Sequence, residues 1–159
     1  MVKLFVDFQG EKFGLDLRRY TEDIEDMQPV FNDIAEEVYN IEERTFNAEG
    51  KPHWQALSPR YSLWKSRRYP NAKILELSGS LKGAATGRPK DLSKVEPIRL
   101  QTKKSLTMGV RGAYVVVHQN GGVNMPQRKY YNFSIKDLAG IARIYNRHAK
   151  RATERIFGI

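Results

Sequence analysis

The stretch MQPVFNDIAEEVYNIEERTFNAEGKPHWQALSP, residues 27–59, decides how this chain folds. Its first part predicts a long helix from about Met27 to Phe46, because apolar residues recur at intervals of three or four. The apolar stripe comprises Ile24, Met27, Phe31, Ile34, Val38, Ile41 and Thr45 or Phe46. Asp26 is the predicted N-cap, and Pro29 then lies in the first turn, where its missing N–H costs little. The back face of this helix is acidic.

A loop and a second helix are predicted in the remainder of the stretch. Asn47–Pro52 contains glycine and proline, which are typical of a loop. Ser58 offers an N-cap and Pro59 the favoured first helical residue, so a helix is expected to run through Arg67. Pro70 then ends it.

The two tryptophans of the chain lie in this region and are interpreted as structural. Trp54 and Trp64 are each expected in or near the core, because aromatic side chains bury large areas and dominate cores and interfaces. The turn at Gly50 is expected to hold Trp54 in place. Trp54 is therefore predicted to be a large contributor to stability.

The other predicted elements are shorter, apart from the last one. They are a β-hairpin within residues 1–17 that turns at Gln9-Gly10, a short helix or turn in Leu75–Ala85, a surface loop over Gly87–Ser93, and strands at Val95–Gln101 and Leu106–Arg111. Ser134 and Asp137 predict the capped start of a long final helix. Its apolar stripe is Leu138, Ile141, Tyr145, Ala149, Ala152 and Ile156.

These elements predict an α+β fold, in which a small antiparallel sheet that includes the N-terminal hairpin packs against two long helices and short connecting helices. A chain of 159 residues can bury one core, so we expect a single domain over residues 1–159. Within it we distinguish the hairpin (1–17), the acidic helix (about 27–46) and a basic body (51–159).

The charge of the chain is strongly divided. Residues 1–50 carry 13 acids and 5 bases, a net charge of −8, whereas residues 51–159 carry 5 acids and 22 bases, a net charge of +17. Both surfaces could simply be solvated, since salt screens charges beyond roughly 10 Å. Alternatively, opposite patches favour head-to-tail contacts between subunits, or the basic body binds nucleic acid by releasing counterions.

No pattern of catalytic or metal-binding residues is apparent. The chain has no cysteine, which excludes disulfides and thiolate chemistry. His53, His118 and His148 are scattered singly, and no nucleotide-binding or hydrolase motif occurs. The acids Glu36, Glu37, Glu42 and Glu43 are expected on a solvated helix face. We therefore expect a protein that is not an enzyme and needs no cofactor or metal.

The longest apolar run, Ala113–Val117, is far too short to span a membrane, and the N-terminus lacks the apolar core of a signal peptide. A soluble protein made in the cytoplasm is therefore expected.

On the last helix, Arg143, Arg147, Arg151 and Arg155 follow at intervals of four and form what we call the basic ridge. It is either a solvated face, or a contact for a partner's acidic helix or for DNA phosphates.

A series of short motifs, in a fixed order from Asp26 to about Ile141, resembles the phage virion morphogenesis family, also called tail completion proteins. The motifs are Gln28-Pro29, Arg44-Thr45-Phe46, Gly50-x-x-x-Trp54-x-x-Leu57-Ser58-Pro59, Ile74-Leu75, Ser78-Gly79-Ser80-Leu81, Tyr114 with His118-Gln119 and Gly122, and Pro126-x-Arg128-x-Tyr130. Two of them depart from the family pattern. Ser78-Gly79-Ser80-Leu81 replaces the usual Thr-Gly-x-Leu, and Pro126-Gln127-Arg128-Lys129-Tyr130 replaces Pro-Ala-Arg-Pro-Phe.

The resemblance implies a structural part of a long-tailed phage that acts in tail completion and head–tail joining, at the neck or the head-proximal end of the tail. Such a protein would form a ring of its own copies, hexameric by expectation, assembled in the host cytoplasm. Its implied partners are connector or neck proteins and tail tube or sheath proteins, with passing contact to genomic DNA as a further option and no membrane.

The resemblance also assigns local structure and contact residues. It implies a short helix over Ala113–Gln119, although three consecutive valines there favour a strand. The expected subunit or partner interface comprises Trp54, Pro59, His118, Gln119, Gly122, Pro126, Arg128 and Tyr130.

Overall fold

The computed structural model describes residues 18–20, 22, 26–89, 91 and 93–158. The elements from residue 26 onward are α1 (Gln28–Asn47), α2 (Pro59–Arg68), α3 (Ser80–Ala85), β1 (Glu96–Gln101), β2 (Leu106–Arg111), α4 (Val115–Asn120) and α5 (Ile135–Phe157). This arrangement is α+β, as predicted. The hairpin predicted within residues 1–17 lies outside the described residues.

Helix α1 has nearly the predicted bounds, but its cap differs from the prediction. Met27 is the N-cap residue, without a side-chain cap bond. Asp26 lies one residue earlier, where its Oδ1 accepts a hydrogen bond from the Gln28 backbone N–H at 3.1 Å. The prediction of Asp26 as N-cap is therefore off by one residue, because an aspartate just ahead of the cap can still satisfy a free N–H of the first turn.

The buried face of α1 is also wider than the predicted stripe. Val30 and Ala35 are buried, whereas Phe31 and Ile34 are only half-buried. The physical reason is that α1 contacts two other helices, α5 and α3. Two packing partners require a broad buried face, and the spacing of large apolar residues predicts only one narrow stripe.

Helix α5 begins at a complete capping box. The Ser134 side chain accepts a hydrogen bond from the Asp137 backbone N–H, and Asp137 accepts one from the Ser134 backbone N–H. The predicted buried stripe is wrong, however, because no residue of α5 is fully buried. Gly140 and Ile144 line the side that faces α1, and His148 pairs with Asp33 of α1 at 2.7 Å. Within the predicted stripe, Ala149 and Ala152 are half-buried and line a groove with Val30 of α1, whereas Leu138 and Tyr145 are exposed.

The sheet has the two predicted strands, and the N-terminal end of α1 is bonded to it. β1 and β2 are antiparallel, in a register that runs from Glu96 opposite Arg111 to Gln101 opposite Leu106. The Met27 backbone N–H donates a hydrogen bond to the Lys103 carbonyl, in the β1–β2 turn, at 2.9 Å. α4 is helical as the family resemblance implied, despite its three valines.

The principal core lies beneath the C-terminal end of α1. It contains Phe46, Trp54, Ile74, Leu81, Ala84, Ala85, Val95, Val115 and Tyr130. These residues come from α1, α3, α4 and four connecting segments. The sequence motifs at residues 46–59 and 118–131 therefore meet in the core.

Candidate functional site

The centre of the candidate site is the side chain of Trp54, which joins two loops. We call them the motif loops: residues 48–58, between α1 and α2, and residues 121–134, between α4 and α5. Its indole ring packs edge-on against Phe46, with ring centroids 5.5 Å apart. Its Nε1–H donates a hydrogen bond to the Lys129 carbonyl at 2.8 Å. Trp54 is 5% exposed, so the predicted burial of this tryptophan is confirmed.

The backbone turn at Gly50 makes room for this ring. Gly50 has φ of +100°, and a Cβ built on it would lie 2.5 Å from Trp54 Cδ1. Both the backbone conformation and the close approach require glycine here. The predicted relation between the Gly50 turn and Trp54 is therefore confirmed.

Arg128 fastens the same two loops from the other direction. Its Nε donates to the Gln55 carbonyl at 3.1 Å and its Nη2 to the Ala56 carbonyl at 3.3 Å, while its side chain is buried. Burial lowers the pKa of Arg128 from its ordinary value. The guanidinium thus holds loop backbone within its own chain.

Gln119 holds the second loop against α4. Its Oε1 accepts hydrogen bonds from the backbone N–H groups of Tyr130 at 3.1 Å and Tyr131 at 3.3 Å. Its Nε2 donates to the Tyr131 carbonyl at 2.9 Å. One amide side chain therefore satisfies three backbone groups of the segment that carries buried Tyr130.

We expect Gln119→Ala to lower the free energy of unfolding by about 1–3 kcal/mol, because it leaves those partly buried backbone groups without partners. Chemical denaturation followed by circular dichroism measures this. Gln127→Ala is the matched control, since the exposed Gln127 donates only one hydrogen bond, to the Gln119 carbonyl. Equal losses in the two variants would contradict the bridging role of Gln119.

The structure separates the predicted interface residues into two groups. Trp54, Arg128 and Tyr130 are buried within one chain. His118, Gln119 and Pro126 are half-buried, and Pro59 and Gly122 are exposed. Contact of these residues with a neighbour stays a prediction, and the buried three have an evident structural role in fixing the loops.

The exposed tip of the second loop lies beside this cluster. Gly122 and Met125 form an isolated antiparallel bridge, which turns the chain back on itself. Val123 and Met125 at this tip are exposed. The exposed part of this loop is therefore its tip, which includes Gly122 of the family motif, whereas the motif residues Arg128 and Tyr130 are buried.

Glu42 corrects the expectation that this residue lies on a solvated face. It is fully buried, and neither carboxylate oxygen has a hydrogen-bond partner. Burial, with a smaller contribution from the nearby Asp137, raises the pKa of Glu42 to about 9. The burial of Glu42 could have been predicted from sequence, because Glu42 lies four residues from both Val38 and Phe46 and therefore on the same, buried side of α1.

The basic ridge lies partly over the acidic side of α1 in the same chain. Arg143 and Arg147 line a groove together with Asp33, Glu36 and Glu37. Arg151 and Arg155 line a second groove further along α5. All four arginines are exposed, so the ridge is accessible while half of it faces carboxylates of its own chain.

A large apolar surface on α5 is left uncovered by the described residues. Ile135, Leu138 and Tyr145 are 87%, 53% and 46% exposed, and they follow one flank of the helix. Exposed apolar surface of this kind marks contact sites more often than the scattered apolar residues of ordinary surfaces do. We call these three residues the α5 flank.

Helix α2 carries a second exposed surface, which corrects the placement of Trp64. Trp64 is 44% exposed, and its ring stacks on Tyr61 with centroids 5.4 Å apart. The expectation that Trp64 lies in or near the core is therefore wrong. The signal was present in the sequence PRYSLWKSRR, which has too few apolar residues for a buried helix face.

Within the described ranges, no group of three or more histidine and carboxylate side chains is arranged to hold a metal ion. The helices in the same ranges are also too short or too polar to cross a membrane.

Comparison with known proteins agrees with the motifs. Residues 9–150 match the sequence model of the phage virion morphogenesis family, a wider span than the motifs cover. Curated proteins and solved structures gave no match. The family match includes the Trp54 loop, the Gln119–Tyr130 loop and most of α5. This chain belongs to the phage virion morphogenesis family, and its role lies in the assembly of the phage particle.

Proposed function

We propose that the protein is a non-enzymatic component of the virion that completes the tail and joins it to the head, as a ring at the neck or head-proximal tail end. The observation that carries this proposal, beside family membership, is the α5 flank. A chain with a well-packed core that leaves Ile135, Leu138 and Tyr145 exposed is suited to a surface contact with other subunits.

Contacts between subunits can close into a ring. One surface of a subunit binds a different surface of the next, and the set closes if the rotation between subunits closes. Each contact should bury roughly 1,000 Å² or more to be stable. Six copies of the chain, bound to connector or neck proteins on one side and to tail tube or sheath proteins on the other, would join head to tail.

Quantitative mass spectrometry of purified particles tests the proposed function. We expect the chain in the particles at about six copies, relative to an abundant structural protein of known copy number. Absence from particles would contradict a place in the neck or tail and would leave a role as an assembly factor.

We expect the double variant Leu138→Glu/Tyr145→Glu to remain folded and to lose self-association, because it places charge on the α5 flank. Analytical ultracentrifugation measures the oligomeric state, and circular dichroism the fold. The matched control is Lys136→Glu/Lys150→Glu, which changes two exposed positions of the same helix away from the flank. A variant that still forms the same oligomer would show that another surface makes the ring.

The second candidate function is binding of DNA by the basic ridge, favoured by the exposure of Arg143, Arg147, Arg151 and Arg155. Such binding should weaken steeply as salt rises, because cations on the protein release counterions from phosphates. Charge reversal at Arg143 and Arg147 distinguishes the two candidates. Loss of particle assembly, in a protein that binds no duplex even at low salt, favours the structural role over DNA binding.

A further inference from the structure

Helix α2 is largely exposed in the part of the chain that the structure describes. Every one of its residues is exposed except Lys65, whose Nζ donates a hydrogen bond to the Lys73 carbonyl. A helix of 10 residues is marginal in water without packing. α2 is thus buried only at Lys65, and its other residues are exposed.

The presented side is unusually rich in large apolar groups. Tyr61, Leu63 and Trp64 are 40%, 54% and 44% exposed. The Trp64 ring stacks on Tyr61, with centroids 5.4 Å apart, and also contacts the tilted ring of Tyr69, with centroids 6.0 Å apart. Tryptophan, tyrosine and arginine are the residues that most often dominate the binding energy of protein interfaces. This composition favours a protein partner.

The charge on α2 indicates the chemistry of that partner. Arg60, Arg67 and Arg68 surround Leu63 and Trp64, and the helix contains no acid. Potentials across an interface are usually complementary, so the matching surface is acidic. Carboxylates suit the arginines well, because a guanidinium can pair with a carboxylate through two hydrogen bonds.

Several carboxylates of this chain already have cationic partners within it, which argues against a second copy as the source of the acidic surface. These pairs are Glu37 with Arg44, Glu43 with Arg88, Glu96 with Arg111, and Glu154 with Lys150. The basic body, with its net charge of +17, would also repel the basic body of a second copy. Nucleic acid fits less well, because Tyr61 and Trp64 cover each other's faces and Leu63 offers nothing to a phosphate.

We propose that α2 is a docking helix for an acidic surface on a different protein of the virion. Trp64 and Leu63 make the apolar contact, and Arg60, Arg67 and Arg68 pair with carboxylates around it. This inference rests on the proposed function, since it assumes a place in the particle beside another component. The α5 flank and α2 would then serve separate contacts, one between copies and one toward a partner.

Photo-crosslinking in assembled particles tests the inference. The photoreactive residue p-benzoylphenylalanine replaces Leu63 in the phage that encodes the chain, purified particles are irradiated, and crosslinked peptides are identified by mass spectrometry. The matched control carries the same residue in place of the exposed Thr107 on β2. We expect the position 63 probe to crosslink to an acidic segment of another virion protein, and the control to give no such product.

The remaining outcomes separate the two proposals. A crosslink to a second copy or to DNA, or no crosslink while the chain is present in particles, overturns the docking inference and leaves the proposed function standing. Absence of the chain from particles overturns both.

Charge reversal provides an independent readout. Arg67→Glu/Arg68→Glu should lower the yield of joined particles at least about tenfold while the purified protein keeps its melting temperature, because like charges would then face each other. Lys103→Glu/Lys104→Glu, on the exposed β1–β2 turn, is the control and should leave the yield unchanged. Substituting lysine for acids in the crosslinked segment should restore assembly. A normal yield of joined particles from the Arg67→Glu/Arg68→Glu variant would overturn the inference.

Discussion

Replacing Trp54 with alanine is expected to lower the free energy of unfolding by about 3–5 kcal/mol. The change removes the edge-on contact with Phe46 and leaves a cavity next to Gly50, which approaches the indole closely. It also leaves the Lys129 carbonyl without its hydrogen bond from Nε1. Because Trp54 joins both motif loops, we expect the loss to affect the whole principal core.

Urea denaturation followed by far-ultraviolet circular dichroism measures this loss without relying on tryptophan fluorescence. Trp64→Ala is the matched control, since it removes the same side chain from an exposed position and should cost less than about 1 kcal/mol. Trp54→Phe should fall between the two, because it keeps most of the packing and loses the hydrogen bond. Similar stabilities for Trp54→Ala and Trp64→Ala would contradict the central position of Trp54.

Replacing Glu42 with glutamine is expected to stabilise the protein by about 1–3 kcal/mol at neutral pH. The folded protein holds the Glu42 proton up to a pKa of about 9, whereas an unfolded chain releases it near the ordinary value of 4.5. The contribution of Glu42 to stability is therefore greatest below pH 4.5 and is lost as pH rises toward 9. Between these two pKa values the free energy of unfolding falls by about 1.4 kcal/mol per pH unit. Glutamine cannot ionise, so Glu42→Gln removes this dependence on pH.

Unfolding free energies between pH 7 and 9 test this prediction, because His118, whose pKa is lowered by burial, is neutral there in the folded state and mostly neutral in the unfolded state. We expect the advantage of Glu42→Gln over the unmodified protein to grow with pH across this range. Glu36→Gln is the control, since Glu36 is exposed on the same helix. Parallel pH curves for Glu42→Gln and the unmodified protein would show that the Glu42 carboxyl ionises normally in the fold.

Prediction from sequence succeeded where the deciding interactions are local. Ser134 and Asp137 lie three residues apart and make their capping box within one turn, so the start of α5 was predictable. The Ser58-Pro59 step likewise marks the start of α2. Gly50 and Trp54 are close in sequence, and their contact was inferred from the turn alone.

Prediction failed where the outcome depends on what lies opposite a residue. The spacing of apolar residues identified the stripe on α5, but it could not show that the stripe is covered only in part and that Leu138 and Tyr145 are left exposed. Trp64 is of a residue type that is common in cores, but it lies on a helix whose residues are nearly all exposed. Glu42 is of a residue type that is common on surfaces, but it is buried by packing around the C-terminal end of α1.

The sequence by itself determined the α+β class, the approximate bounds of the long helices, the capped start of α5, the pairing of the two strands and the virion morphogenesis family. Those properties depend on hydrogen bonds and spacings between near neighbours, or on motifs whose order can be recognised directly. Only the tertiary structure decided that Trp54, Gln119 and Arg128 tie two distant loops together, that Glu42 is buried, and that α2 and the α5 flank are left exposed. Burial is a property of both surfaces in a contact, and one chain segment specifies only one of them.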